Sequence, residues 1–151
     1  MKVVLQRVAY ASVTIDQKEK RSIGKGLVSL IGIGNDDTEE NARLLCRKCA
    51  ELRIFEDGDG KLNLSAAEQG LDILAVSNFT LYADCKKRRR PGFSNAAKPP
   101  KSVDLYNLFV NTLKEYPFGK VETGEFGADM KLEILNDGPV TLILDTDEWQ
   151  R

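Results

Sequence analysis

The sequence predicts an α+β domain, an α/β protein whose strands pair mostly antiparallel. Three observations carry that expectation: about seven strand-like segments, two helical apolar stripes, and an order in which the two do not alternate regularly. At 151 residues the chain fits a single domain, 1–151, long enough to bury a substantial core.

Met1 to Asp16 alternates like a strand, with Val13 and Ile15 on one side and Ser12 and Thr14 on the other. Gly24 and Gly26 punctuate, and LVSLIGIG (Leu27 to Gly34) reads as a short buried strand. In NDDTEENARLLCRKCAEL, Asp37 or Thr38 is the expected helix cap, with Glu40 at the capping-box position after Asp37. Ala42, Leu45, Cys46 and Cys49 then recur at i, i+3, i+4 and i+7. LRIF and KLN flank EDGDG, a turn between two short strands. Asp57, Asp59 and Glu68 faintly suggest a calcium loop, but Leu62 stands where such a loop needs glycine, so calcium is rejected.

LDILAVSNFTLYA (Leu71 to Ala83) reads as one long strand. After a loop rich in charge and proline, Ser102 is expected to cap a second helix with the stripe Leu105, Leu108, Phe109 and Leu113. The last third reads as two or three strands. Within it, LNDGPVTLIL looks like two strands joined by a turn at Gly138-Pro139, and the tail from Glu148 to Arg151 is expected to be loose.

Composition narrows the function. Apolar residues at 42% and charged residues at 30% are ordinary for a soluble protein. No apolar run approaches the roughly 20 residues of a membrane span, and the start lacks a signal peptide's continuous apolar stretch, so a cytosolic protein is expected. Three cysteines leave no disulfide framework, and the C-x-x-C of Cys46 and Cys49 lacks a second pair or a histidine, favouring packing over zinc. There is no histidine at all. That excludes Ser-His-Asp and Cys-His catalysis, H-E-x-x-H metalloproteases and His-ligated zinc deaminases.

Three stretches could carry chemistry. Lys86, Lys87, Arg88, Arg89 and Arg90 form a run of five cations near Phe93: either a solvated loop or an arm for nucleic-acid phosphates, with an aromatic to stack on a base. In SNFTL, Ser77 and Thr80 are either ordinary strand-end hydroxyls or substrate-orienting groups; neither has a base to make it a nucleophile. Gly138-Pro139 is either a plain turn or a stiffened tip that aims carbonyl oxygens at an ammonium group.

VLQRV, LRIFED, SNFTL, RRPGF, VETGEFGADM and NDGPVT occur in this order, and with them the chain resembles the D-aminoacyl-tRNA deacylases along nearly its whole length. The resemblance implies a barrel-like, mostly antiparallel fold with two main helices, a homodimer, tRNA as partner, and neither cofactor nor metal. It implies hydrolysis of the ester between a D-amino acid, or glycine mischarged on tRNA(Ala), and the tRNA 3′ end, assisted by the tRNA 2′-hydroxyl. Gly138 and Pro139 would bar L-amino acids from the other subunit's site, and Arg7 would brace them. Ser77, Asn78, Phe79 and Thr80 would line the catalytic pocket, and Phe126, Ala128 and Met130 its adenosine side. The family usually carries glutamine where this chain has Asn78, which shortens that amide's reach. The rival readings are a non-catalytic nucleic-acid-binding module using residues 86–90 and a hydrolase of small D-amino-acid esters.

Overall fold

The computed structural model describes residues 1–149. Its axis is β1 (Lys2–Ile15), flanked on both edges. One edge pairs antiparallel with β3 (Gly26–Gly32) and, further along, with β2 (Glu19–Ile23). Asp16 and Gln17, at φ 50° and 61°, close the β1–β2 hairpin with the left-handed geometry that matches strand twist. The other edge pairs antiparallel with β8 (Met130–Asp145). Beyond β3 the sheet continues in parallel, through β6 (Asp72–Ser77) to β7 (Val121–Thr123). These six strands make a nearly closed, barrel-like sheet, and β4 (Phe55–Glu56) with β5 (Leu62–Leu64) forms a separate ribbon. Antiparallel pairing dominates, as the sequence predicts; the two parallel pairs are what it does not reveal.

Helices α1 (Glu39–Glu51) and α2 (Lys101–Leu113) pack on each other and on the sheet. Their buried stripes, Leu45, Cys46 and Cys49 from α1 and Leu105, Phe109 and Leu113 from α2, join Leu5, Leu27 and Ile73 in the main core. Each large side chain so buried contributes about 1.5–3 kcal/mol. A second apolar cluster contains Val8, Val13, Val28 and Leu74. Tyr106 of α2 donates to the Ala75 carbonyl at 2.8 Å, and burial pushes its phenol up to about 12, so it remains a donor. No helix among the described residues is long and apolar enough to cross a membrane.

Several expectations need correction. Thr38 caps α1, and its capping-box partner is Asn41, not Glu40: each side chain bonds the other's backbone N–H, at 3.4 and 2.9 Å. Helix α2 begins after Pro100, and Ser102 makes no cap hydrogen bond. The long run from Leu71 breaks after Ser77, because Phe79–Tyr82 coils into a 3₁₀ turn. Glu148 and Trp149 belong to a short helix, α3 (Thr146–Trp149), while Gln150 and Arg151 lie outside the described residues.

The largest correction concerns LNDGPVTLIL. It is no hairpin. Both halves belong to β8 and pair with the same strand: Gln6 faces Thr141 and Val8 faces Asn136, so Asp137–Val140 stand opposite Arg7 alone. Such a bulge removes ladder bonds that must be replaced. The Asn136 side chain accepts from Val140 N–H at 2.9 Å and donates to Thr141 Oγ1 at 2.8 Å. Buried Arg7 donates from Nε to the Asp137 carbonyl at 3.0 Å and from its guanidinium to the Ile54 carbonyl at 2.9 Å.

At the other end of the sheet, a Cβ on Gly32 would stand 2.9 Å from Leu81 Cβ and 3.3 Å from the Asn78 carbonyl, so glycine there lets the 3₁₀ turn lie against β3. Gly32→Ala is expected to cost about 1–3 kcal/mol by overpacking, whereas Gly58→Ala, which meets nothing within 4 Å, is expected to be near neutral in the same urea denaturation. Arg7→Ala strands two carbonyls and is expected to cost about 2–3 kcal/mol, read by the same measurement.

Candidate active site

Strands β3 and β6 run parallel, so their carboxyl ends lie together, the usual place for a ligand in such a sheet. A cavity of about 500 Å³ opens there, within the range of small-ligand sites. Ile31 and Ile33 enter it from the end of β3, and Val76, Ser77, Asn78 and Phe79 from the end of β6. Phe126, Gly127 and Ala128 come from the β7–β8 connection, with Met130, Leu132 and Ile134 from β8. Ala97, before α2, and Ser102, in its first turn, complete the wall. Phe126 packs on Tyr106, ring centroids 6.0 Å apart.

At the rim, Asn78 N–H donates to the Ile31 carbonyl at 2.7 Å, fixing the point where β6 ends. The N–H groups of Phe79 and Thr80 open the 3₁₀ turn, where a helix has no internal acceptor to offer them. The Thr80 hydroxyl donates to Asn78 Oδ1. Thr80 is exposed and, unlike Asn78 and Phe79, is not part of the cavity wall.

Phe79 is 55% exposed, and its ring meets Phe93 edge-on with centroids 5.0 Å apart. Phe93 ends the basic loop, whose base is closed by reciprocal backbone bonds of 2.7 and 2.9 Å between Asp84 and Gly92. Lys86, Lys87, Arg88, Arg89 and Arg90 are all exposed and line a shallow concavity of about 850 Å³. None of them joins an ion pair among the described residues. Five cations without ion-pair partners therefore share this concavity with the single carboxylate of Asp84, beside the aromatic rim of an apolar cavity.

The Asp137–Val140 bulge lies elsewhere: none of its residues lines the cavity. Gly138 and Pro139 are exposed, and the Gly138-Pro139 peptide is cis, as is Pro99-Pro100. Gly138 has φ 135°, and a Cβ there would come within 2.8 Å of Val140 Cγ2 and 3.1 Å of the Arg7 guanidinium. Only glycine fits that backbone.

The structure thus gathers Ser77, Asn78, Phe79, Phe126, Ala128 and Met130 at one cavity and Arg7, Gly138 and Pro139 at a separate tip. Sequence reasoning missed the apolar wall of Leu30, Ile31, Ile33, Leu132 and Ile134, whose strand pattern is that of core residues, and also Ala97 and Ser102. Cys46 and Cys49 are buried in the main core, and burial raises both thiols, Cys49 to about 12. Among the described residues, no group of three or more His, Cys, Asp or Glu could hold a metal ion.

Comparison with known proteins gives these features a context. A family profile described as D-Tyr-tRNA(Tyr) deacylase matches residues 4–145. D-aminoacyl-tRNA deacylases of Shouchella clausii and Thermosipho melanesiensis are 50% and 52% identical to the chain, each over 97% of it and over 100% and 97% of their own lengths. Among solved structures, one titled c-Myc DNA Unwinding Element Binding Protein superposes with a TM-score of 0.89 at 40% identity, covering 96% of this chain and 98% of that one. A probable eukaryotic D-amino acid tRNA deacylase superposes at 0.81 over 95% and 97%, and at 19% identity it speaks for the fold alone. With a profile match across nearly the whole chain and relatives at half identity, this chain belongs to the D-Tyr-tRNA(Tyr) deacylase family of hydrolases.

Proposed function

We propose that the chain hydrolyses the ester between a D-amino acid and the 3′ end of tRNA, and clears glycine mischarged on tRNA(Ala) by the same route. The observation that carries this reading is the junction at Phe79 and Phe93, which sets a loop of five cations beside an apolar cavity of about 500 Å³. Cations on the loop take the backbone of the acceptor end without reading its sequence. Aromatic rings at the rim are suited to stacking on its last bases.

Chirality is read by a second copy of the chain. In the homodimer, Gly138 and Pro139 of one protomer enter the cavity of the other, where their carbonyl oxygens accept from the α-ammonium group. Support comes from the tip's exposure, its absence from its own protomer's cavity wall, and the Arg7 and Asn136 bonds that hold it still. Exposed Tyr10, Leu135 and Ile143 on β1 and β8 supply apolar surface for the pairing. A site that works by excluding an L side chain has no means to refuse glycine.

The reaction uses no side-chain nucleophile. Ser77 has no base to activate it, and the Thr80 hydroxyl is engaged by Asn78. The tRNA 2′-hydroxyl beside the ester assists attack by water, while the N–H groups at Phe79 and Thr80 stabilise the developing oxyanion. Asn78, shorter than the family's glutamine, holds the turn through Thr80 and Ile31.

One solved relative carries a title naming DNA-element binding, which favours a second reading, a non-catalytic nucleic-acid module acting through residues 86–90. The two part in a deacylation assay. D-Tyr-tRNA is expected to be cleaved rapidly, L-Tyr-tRNA and a free D-tyrosine ester slowly, and a D-Tyr-tRNA ending in 2′-deoxyadenosine slower by on the order of 100-fold or more. Tight tRNA binding without cleavage would favour the module instead. Replacing Arg88, Arg89 and Arg90 by Gln is expected to flatten the slope of log affinity against log salt by about 2–3, read by filter binding of tRNA at several salt concentrations.

A further inference from the structure

Because the sheet stops short of closing, two of its strands face each other across a seam. β2 and β7 stand at its two ends and approach each other, yet no ladder joins them among the described residues. An edge without a ladder leaves backbone acceptors in need of donors. Arg21 of β2 supplies them from across the seam. Its guanidinium donates to the Thr123 carbonyl at 2.9 Å, to Thr123 Oγ1 at 3.2 Å and to the Gly124 carbonyl at 3.4 Å. Glu19, two residues back on the same face of β2, accepts from Arg21 Nε at 2.8 Å and so aims the group.

The β7–β8 connection departs at this grip and returns at a second one. Asp16, at the tip of the β1–β2 hairpin, donates its N–H to the Asp129 carbonyl at 2.8 Å, and Asp129 N–H donates to Asp16 Oδ1 at 3.2 Å. One hairpin thus holds the connection by both feet. Between the feet lie Phe126, Gly127 and Ala128, which are cavity wall, whereas Arg21 and Asp16 are not. Gly124, at the first foot, leaves the space taken by the sulfur of Met130, another wall residue. Glu125, Gly127 and Asp129 are exposed, so little burial keeps this stretch closed and its anchors matter more. We infer that Arg21 is a positioning residue: by gripping Thr123 and Gly124 it stops the wall at 126–128 from yielding, and so sustains the choice between mirror-image substrates. The inference rests on the D-aminoacyl ester reading above, in which an L side chain is refused only while the cavity cannot widen.

Two measurements on wild type, Arg21→Gln and Arg53→Gln test it. Arg53 is exposed and bonds Asn63, so its replacement removes the same charge without touching the connection. Hydrogen–deuterium exchange read by mass spectrometry is expected to be about 10-fold faster at the 124–129 amides of Arg21→Gln, and unchanged in α1. The ratio of kcat/KM for D-Tyr-tRNA over L-Tyr-tRNA is expected to fall about 10-fold in the same variant. Arg53→Gln is expected to match wild type in both. A lost charge or a smaller folded fraction lowers both substrates alike and leaves the ratio where it was, so the ratio separates positioning from plain stabilisation. Unchanged exchange overturns the grip. Faster exchange with an unchanged ratio, or an equal fall in Arg53→Gln, overturns the role in selection. If wild type cleaves neither charged tRNA, the deacylase reading falls and the selective role with it, while the exchange rates still decide the grip alone.

Discussion

A buried guanidinium holds this molecule's most unusual piece of backbone in place. Where β8 crosses Arg7, four residues replace one, and the ladder that would have paired them is gone. Side chains take its place: Arg7 serves the Asp137 and Ile54 carbonyls, and Asn136 serves Val140 and Thr141. Arg7 also lies over Phe55, its guanidinium carbon 6.0 Å from the ring centroid, so the charge is set into the core and not left on the surface. A planar group with five donors in fixed directions can bind two carbonyls at once, which lysine's compact ammonium does less well. Asp137 Oδ2 is 3.9 Å away and half exposed, too wet to count for much. The tip is thereby solvent-facing yet anchored at both of its feet.

The second constraint is the polarity of the sheet. Pairing β6 parallel to β3 brings two carboxyl ends together, and the 3₁₀ turn bends the chain sharply out of β6 at Ser77. Gly32 permits that bend by giving Leu81 and Asn78 room against β3. Asp72 secures the opposite end, accepting from Gly24 and Lys120 N–H groups at 2.9 Å each, so that both parallel neighbours stay in register. The cavity is what remains between a strand end, a turn and the β7–β8 connection, and the basic loop closes beside it because the same chain segment forms its rim.

Much of this was readable from the residues. The α1 stripe and the short β4–β5 ribbon follow from local periodicity and turn chemistry, and the core positions of Cys46 and Cys49 follow from their spacing. Ser77, Asn78 and Phe79 were legible as a set only through the family resemblance. The bulge was not legible, because two apolar halves around Gly-Pro look alike whether they pair with each other or with a third strand. The deciding partner, Arg7, lies at the far end of the chain. Ile33, Leu132 and Ile134 were hidden for a different reason: a period of two marks a buried face but cannot say whether that face meets protein or an open cavity. Ser102 resembled a cap because serine often is one, and the Pro99-Pro100 pair moved the helix start ahead of it.

What the chain lacks shapes what it can do. With no histidine, and with Cys46 and Cys49 sealed in the core, the wall offers neither a thiolate nor an imidazole. Tyr82 does not fill the gap, since burial and the nearby carboxylates of Asp37 and Asp147 hold its phenol protonated. The cavity's remaining assets are hydroxyls, amide groups and apolar shape, all means of placement. An aminoacyl ester, the substrate proposed above, is already an activated bond, and holding a reacting bond in place can supply a large part of a rate. For the proposed reaction a rigid wall would separate mirror images that a loose one admits. Arg7 anchors the tip on the β8 side of β1, and Gly32 makes room for the 3₁₀ turn on the β3 side, so two separate departures from regular strand are each fixed by one residue of the sheet.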